Sequence, residues 1–306
     1  MASFCKATLT ALAAGLTLAC AAFAPAHAQA PATSTLDKIK ASGKVVLGVR
    51  ETSPPMAYAL GANEKYVGYH VELCERVLKE IVPQAKLEYM AVTAQNTLPL
   101  VQNGTLDIGC GPTTNNTARQ QQVAFAVTTY VSEVRMAVRK DSDLQSIKQL
   151  AGRTIAASTG TTAVQLLRKQ ERVLGGAPIK TVLGKDHHES FMLLESGRAD
   201  AFVLDDNLLA GRIANSKDPS AFRIVGEPLG AEPIALLFRK DDPTFKAAVD
   251  GVLTKLMQSG EMEKIYTKWF VNPIPPKNMS LNLPLGTTLR QLFAAPNDKP
   301  LETYQQ

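Results

Sequence analysis

The stretch TIAASTGTTAVQLLRKQER, residues 154–172, shows how this chain of 306 residues is built. Its first four residues are small or β-branched and predict a buried strand, and apolar residues at helical spacing over 161–172 predict a helix. The polar turn STGTT, residues 158–162, joins the two. A strand that passes directly into a helix is typical of α/β sheets, in which parallel strands are joined by right-handed crossovers.

The same alternation continues on both sides of this stretch. Further strands are predicted at 44–50, 86–92, 106–109, 179–183, 201–204 and 234–239. Further helices are predicted from Ser34 to Gly43, at 71–81, 97–102, 190–196 and 207–214, around 245–256 and 262–269, and at 289–293 in a proline-rich tail. Two successive strand–helix sets predict two α/β lobes.

The composition restricts the classes of function. The chain is 45% hydrophobic and 20% charged, which excludes a disordered, collagen-like or coiled-coil protein. It is long enough to bury a core without the help of disulfides or metals. The net charge of +5 is spread along the chain and forms no basic block, so we expect no nucleic-acid partner.

The first 28 residues predict a cleavable signal peptide. Lys6 precedes an apolar run, residues 7–23, and small residues at Ala26 and Ala28 suit signal peptidase, so cleavage is expected after Ala28. The run is at the short limit for a membrane span. Cys20 raises the alternative of a lipoprotein. Thr17 argues against it, because the lipid-attachment pattern has an aliphatic residue at that position. Export to the periplasm is the prediction.

Removal of the predicted signal peptide would leave two of the four cysteines in the mature chain, Cys74 and Cys110. An oxidising compartment permits them to pair, but pairing requires a closeness that the sequence does not reveal. Two unpaired, buried thiols are the preferred interpretation.

The usual cofactor and hydrolase motifs are missing from the sequence. It contains no GxGxxG after a strand, GxxxxGK[ST], CxxC, HExxH or GxSxG. His187 and His188 are adjacent, and neighbouring residues in a loop rarely present both rings to one ion. We therefore expect no cofactor and no metal.

Polar residues follow several predicted strands, at the edge where open α/β sheets place their ligands. They are Arg50, Thr114 with Arg119, residues 158–162, and Asp205. Taken singly, each is more often a turn, cap or solvated residue. Together, Asp205 suits an ammonium group, Arg119 suits a carboxylate, and the start of the helix after Gly160 suits an anion. This is the chemistry of a zwitterion, and it predicts an amino-acid site.

The chain resembles the periplasmic amino-acid-binding proteins of ABC importers, solute-binding protein family 3, and within it the glutamate/aspartate branch. The resemblance rests on 34–39 (STLDKI), 102–105 (QNGT), 113–116 (TTNN), 158–162 (STGTT), 185–187 (KDH), 194–199 (LESGRA), 208–211 (LLAG), 239–243 (RKDDP) and 272–278 (NPIPPKN). It implies a two-lobed periplasmic binding protein fold of type II. Lobe 1 would comprise 34–133 and 230–306, and lobe 2 would comprise 134–229. Hinge segments near 130–133 and 229–233 would let the lobes close over a ligand.

The resemblance also implies roles for individual residues. Arg119, Thr114 and the loop of Ser158, Thr159, Gly160 and Thr161 would hold the α-carboxylate, and Asp205 and Thr114 the ammonium. Arg50 and His187 would face a side-chain carboxylate, and Thr97, at the position of an arginine in that branch, is the tenth candidate ligand residue.

Three positions depart from that branch: Ala94 and Pro112 replace serines, and Thr97 replaces an arginine. Losing the charged partner of a buried carboxylate costs a few kcal/mol. Glutamate or aspartate is therefore the expected ligand, and a neutral polar amino acid such as glutamine or asparagine stays open.

Three classes of function fit this family: a transport receptor, a sensory binding protein, and a periplasmic dehydratase. A transport receptor is expected rather than an enzyme, since a histidine facing a ligand carboxylate explains His187 without a catalytic role. Its partners would be an amino acid and the ABC importer permease in the inner membrane, and we expect a monomer.

Overall fold

The structure is a computed structural model that describes residues 34–61 and 65–304. The predicted signal peptide, residues 1–28, lies outside the described residues. The strands are β1 (Lys44–Val49), β2 (Thr52–Ser53), β3 (Ala57–Leu60), β4 (Lys65–Val67), β5 (Lys86–Ala91), β6 (Ile108–Thr114), β7 (Val123–Phe125), β8 (Tyr130–Arg139), β9 (Thr154–Ser158), β10 (Lys180–Gly184), β11 (Ala201–Asp205) and β12 (Phe222–Arg239). The helices are α1 (Thr35–Ser42), α2 (Tyr69–Ile81), α3 (Thr97–Gln102), α4 (Thr117–Gln120), α5 (Thr162–Leu174), α6 (His187–Glu195), α7 (Asp206–Asn215), α8 (Pro243–Gln258), α9 (Glu261–Phe270) and α10 (Thr287–Ala294).

The large sheet has the strand order β10-β9-β11-β8-β12-β6-β1-β5, and β7 also pairs with β12. At one end β5, β1 and β6 run parallel, and at the other end β10, β9 and β11 run parallel. This confirms the two predicted strand–helix sets. The predicted ligand residues follow or end four of these parallel strands, since Arg50 follows β1, Thr114 ends β6, Ser158 ends β9 and Asp205 ends β11.

Two long antiparallel strands in the middle of the sheet were not predicted at their full length. β8 was missed, and only residues 234–239 of the 18-residue β12 were expected. The two strands pair along most of their length, with a register shift between Val225 and Gly230. The predicted hinge segments 130–133 and 229–233 lie in this pairing, where Glu232 is opposite Ser132. Residues 229–233 contain Gly230 and Pro233, which are uncommon inside strands. In β8, by contrast, residues 134, 136 and 138 (Val, Met, Val) alternate with residues 135, 137 and 139 (Arg, Ala, Arg), a strand pattern that was overlooked.

Capping residues set the helix boundaries. The Asp186 carboxylate accepts a hydrogen bond from the amide of Glu189, so α6 begins at His187, three residues before the predicted start. Asp242 caps α8 in the same way, with Pro243 at its first position. The start of α6 matters for the site, because it places His187 at the end of the sheet where the strands end.

The prediction of two unpaired thiols was wrong: Cys74 and Cys110 form a disulfide. Cys74 lies on the buried face of α2 and Cys110 lies in β6, and both are fully buried. Their Cα atoms are 6.1 Å apart, within the range that a disulfide spans. Tertiary packing decides which face of α2 lies against which strand. No local pattern in the sequence therefore predicts that these two cysteines meet.

Candidate functional site

A small cavity of about 20 Å³ lies between the carboxyl ends of β1 and β6 and those of β9 and β11. Its lining consists of Arg50, Ala94, Pro112, Thr113, Thr114, Arg119, Thr161, Thr162, His187, Asp205 and Leu208. Six of the ten predicted ligand residues are among them. Residues from both halves of the sheet contribute, so a molecule held here would touch both.

Arg50 and His187 form one side of the cavity, and both are buried. A guanidinium nitrogen of Arg50 lies 2.6 Å from Nε2 of His187, and Nδ1 lies 2.8 Å from Oγ of Ser158. A guanidinium group can only donate, so Nε2 is the acceptor and Nδ1 carries the proton. Burial, and then the positive charges of Arg50 and Arg212, hold the pKa of His187 well below its ordinary value. The imidazole is therefore neutral and orients Arg50.

Gly111 makes room for Arg50. A Cβ atom at Gly111 would lie 2.3 Å from Cγ of Arg50, so the arginine stem packs directly on the backbone of β6. Burial, and then the charge of Arg119, lower the pKa of Arg50 to about 10, so the side chain keeps its charge at neutral pH. The cavity therefore has a fixed positive charge at this side.

Arg119, on α4, provides the second positive charge. Its guanidinium donates to the carbonyl oxygen of Thr114 at 2.9 Å and to that of Gly160 at 3.3 Å. Thr114 belongs to β6 and Gly160 follows β9, so Arg119 connects the two halves of the sheet. These two bonds leave further donors of the guanidinium for a carboxylate.

Asp205 is the acid of the cavity lining. It occupies the N-cap position of α7, but its side chain makes no cap hydrogen bond. It accepts a hydrogen bond from the hydroxyl of Ser132 on β8 instead. Burial raises the pKa of this carboxyl, and the Ser132 hydroxyl and the two arginines Arg50 and Arg119 act in the opposite direction. A ligand ammonium would add a favourable charge partner for it.

The remaining predicted residues support the cavity rather than line it. Ser158 holds His187, and Thr159 donates to the carbonyl oxygen of Gly184 at 3.0 Å. Gly160 has a φ of +81°, and a Cβ there would lie 2.6 Å from Cα of Gln95. Thr97 is buried and donates to the carbonyl oxygen of Thr93, and the described cavity lining does not include it.

Glu232, a buried carboxyl on β12, was not predicted as a site residue. One of its oxygens, Oε2, accepts hydrogen bonds from Oγ1 of Thr114 at 2.6 Å and from Oγ1 of Thr162 at 2.9 Å. The other oxygen, Oε1, is buried without a hydrogen-bond partner among the described residues. The signal for it in the sequence is a lone acid two residues before the buried run 234–238.

Two guanidinium groups and one carboxylate therefore line a small polar cavity. Such a set can pair with two carboxylates and one ammonium of a small molecule. In the described ranges, no group of three or more histidine, cysteine and acidic residues is arranged to hold a metal ion. Likewise, no helix of the described part is both long and apolar enough to cross a membrane.

Residues 45–272 match the family model described as bacterial extracellular solute-binding proteins, family 3. A glutamate/aspartate import solute-binding protein of Salmonella typhimurium is 42% identical over 286 residues, which cover 90% of this chain and 93% of that protein. An L-glutamate/L-aspartate-binding protein of Pseudomonas aeruginosa is 42% identical over 277 residues, covering 88% and 91%.

Solved structures are also similar. A mutant of the protein ArgBP from T. maritima superposes with a TM-score of 0.70 at 26% identity, covering 77% of this chain and 98% of that one. The predicted α/β binding-protein fold is thus confirmed. The boundaries of its two lobes stay a prediction.

Proposed function

Because this chain belongs to the bacterial extracellular solute-binding proteins of family 3, we propose that it is an amino-acid receptor that captures glutamate or aspartate in the cavity between its two lobes. The relatives that bind these acidic amino acids match nearly the whole chain at 42% identity. Delivery to the permease of an ABC importer, after export through the predicted signal peptide, completes the proposal. The receptor acts in the periplasm as a monomer.

The charge pattern of the cavity carries this proposal. Arg119 suits the α-carboxylate, Asp205 suits the ammonium, and Arg50, oriented by His187, suits the side-chain carboxylate. An acidic amino acid has the same three charges with opposite signs. Because side chains of the lining such as Arg50 and His187 are buried, each pairing is stronger than it would be in water.

Closure of the two lobes supplies the mechanism. Lobe 1, residues 34–133 and 230–306, contributes Arg50 and Arg119, and lobe 2, residues 134–229, contributes His187 and Asp205. The ligand bridges the lobes and shifts an equilibrium between open and closed forms. The paired segments 130–133 and 229–233 absorb the motion as a hinge. Scattering experiments should show a fall in the radius of gyration when ligand is added.

Titration calorimetry of the purified protein with the twenty amino acids tests the proposal. Tight binding of glutamate or aspartate supports it. Absence of binding by every amino acid would refute an amino-acid receptor, and binding of an amide alone would refute the acidic ligand.

One observation favours a second candidate, a receptor for glutamine or asparagine. His187 is neutral, and Ala94, which also lines the cavity, has no charge to offer. If Arg119 holds the α-carboxylate, Arg50 is the one cation left in the described lining for a side-chain carboxylate. An amide side chain needs no second cation, and Arg50 would donate to its carbonyl oxygen.

An enzymatic role receives less support. A dehydratase needs a group that can transfer protons in the cavity. Both ring nitrogens of His187 already have partners, Arg50 and Ser158. We therefore expect no turnover of a cyclic amino-acid precursor, and an assay of product release with purified protein checks this.

A further inference from the structure

Glu232 lies behind the cavity and connects its two halves. Its side chain is 1% exposed and starts from β12, in the expected hinge. Oε2 receives the hydroxyl protons of Thr114, which ends β6, and of Thr162, which begins α5. Both threonines line the cavity, whereas Glu232 is one layer further from it. The carboxyl group thus acts on a ligand mainly through these two hydroxyls.

The direction of these hydrogen bonds decides what the threonines offer to a ligand. A hydroxyl group has one proton and two lone pairs. When Glu232 is a carboxylate it accepts both protons, so Thr114 and Thr162 can present only lone pairs to the cavity. Lone pairs attract the N–H donors of an ammonium group and repel the oxygen of an anion or a carbonyl. A neutral Glu232 would have its own proton to donate, and the hydroxyls could then turn.

We propose that Glu232 is a positioning residue that makes the cavity select a ligand with an α-ammonium group, by orienting the hydroxyls of Thr114 and Thr162 as acceptors. This inference rests on the proposed function, because it assumes that an amino acid occupies the cavity. It goes beyond that function in one respect. Glu232, which lies outside the cavity lining, would let the protein distinguish an amino acid from the corresponding 2-hydroxy acid.

Charged groups from several elements face Glu232. Asp205 at the end of β11 repels its negative charge, and Arg119 on α4 attracts it. On β8, its paired neighbour Ser132 donates to Asp205, and Glu133 lies opposite Ala231. Burial, and then the negative charge of Asp205, raise the pKa of Glu232 to about 7. The hydrogen bonds from the two threonine hydroxyls and the positive charge of Arg119 lower this pKa, but by less.

This setting predicts a pH dependence of binding. A ligand ammonium stabilises the ionised carboxyl, so an amino acid binds more tightly as the pH rises through about 7. A fall of about one unit in the pKa of Glu232 on binding corresponds to about a tenfold gain in affinity. A 2-hydroxy acid lacks the ammonium and should not show this gain.

The experiment compares L-glutamate with (S)-2-hydroxyglutarate, which has a hydroxyl in place of the ammonium. Both are titrated into the purified protein at several pH values between about 5.5 and 8.5, the interval in which Glu232 changes charge. Glu232→Gln keeps the shape and removes the charge. Glu227→Gln is the matched control, since Glu227 is exposed on the same strand. Because Asp205 repels the charge of Glu232, its own titration changes in Glu232→Gln, so the pH profiles of the two ligands are compared within each variant.

We expect Glu232→Gln to lower the affinity for glutamate by about tenfold at the upper end of this pH range, and to flatten its pH dependence. The ratio of the two affinities should fall by a similar factor, while Glu227→Gln behaves like the unmodified protein. Glu232→Asp, which retains a carboxylate, should keep the pH dependence and serves if Glu232→Gln does not fold.

An equal loss of affinity for both ligands, with an unchanged pH profile, would show that Glu232 has only a structural role and would overturn the inference. Unchanged binding in Glu232→Gln would also overturn it. If the unmodified protein binds neither glutamate nor aspartate, the proposed ligand itself fails, and that result is seen before any variant is made.

Discussion

Removal of the disulfide, in a variant that carries both Cys74→Ala and Cys110→Ala, should lower the melting temperature of this protein by about 7 °C. The bond joins α2 to β6 and closes a loop of 36 residues. In the unfolded chain this cross-link reduces the number of accessible conformations, so it raises the free energy of the unfolded state relative to the folded state.

The magnitude follows from the loop length. For 36 residues the loop-closure entropy is about 13 cal/mol/K, which amounts to about 4 kcal/mol at room temperature. Unfolding of the roughly 270 described residues has an entropy of about 0.6 kcal/mol/K. The quotient of these two values gives the shift of about 7 °C.

Differential scanning calorimetry of the ligand-free protein measures this shift. Each single alanine variant already lacks the bond, so it should lose nearly as much as the double variant, and the remaining difference reports the packing of one buried sulfur. A reducing agent should lower the melting temperature of the unmodified protein and leave the double variant unchanged. A double variant that melts within about 1 °C of the unmodified protein would refute the reasoning.

Three further predictions concern the site and the core. Arg119→Ala and Asp205→Ala should each abolish amino-acid binding with the fold retained, because each removes one pole of the charge pattern; calorimetry and circular dichroism check this, and unchanged affinity would contradict it. Gly211→Ala should hinder closure of the lobes, because a Cβ there would lie 2.1 Å from the carbonyl oxygen of Pro54. If adding ligand lowers the radius of gyration of this variant as much as that of the unmodified protein, the prediction is contradicted. Burial lowers the pKa of His70 from 6.5 to about 4, so the neutral ring stabilises the fold above about pH 6.5, and about 3 kcal/mol is lost as the pH falls towards 4. His187 also has a lowered pKa and remains in His70→Gln, so urea unfolding should show a loss that is smaller in this variant by about 3 kcal/mol. An equal loss in both proteins would contradict the prediction.

The environment of His70 also shows how far single residues can be interpreted from sequence. The ring is fully buried, with Nδ1 2.9 Å from the carbonyl oxygen of Gly111 and Nε2 2.8 Å from Oγ1 of Thr129. It therefore holds β6 in place behind the cavity. Its position after Gly68 and Tyr69 gave no sign of these two distant partners.

Local patterns determined much of the fold. The apolar spacing of α2 and α8 and the β-branched run of β1 were sufficient to predict these elements, because each depends on neighbours within one or two turns or on the alternation of a single strand. The polar residues after β1, β6, β9 and β11 were found for the same reason. Parallel strands place their carboxyl ends at one edge, so a residue that follows a strand is a candidate for the site.

Tertiary structure decided what depends on distant parts of the chain. Three features join residues that are 36 to 118 positions apart in the chain. They are the pairing of β8 with β12, the disulfide between α2 and β6, and the hydrogen bonds from Thr114 and Thr162 to Glu232. The free energy of each contact depends on which faces pack together, and no local spacing encodes that. The sequence by itself therefore determined the α/β class and the charged residues of the site, whereas the folded chain decided which carboxyl groups lie behind the cavity and which cysteines meet.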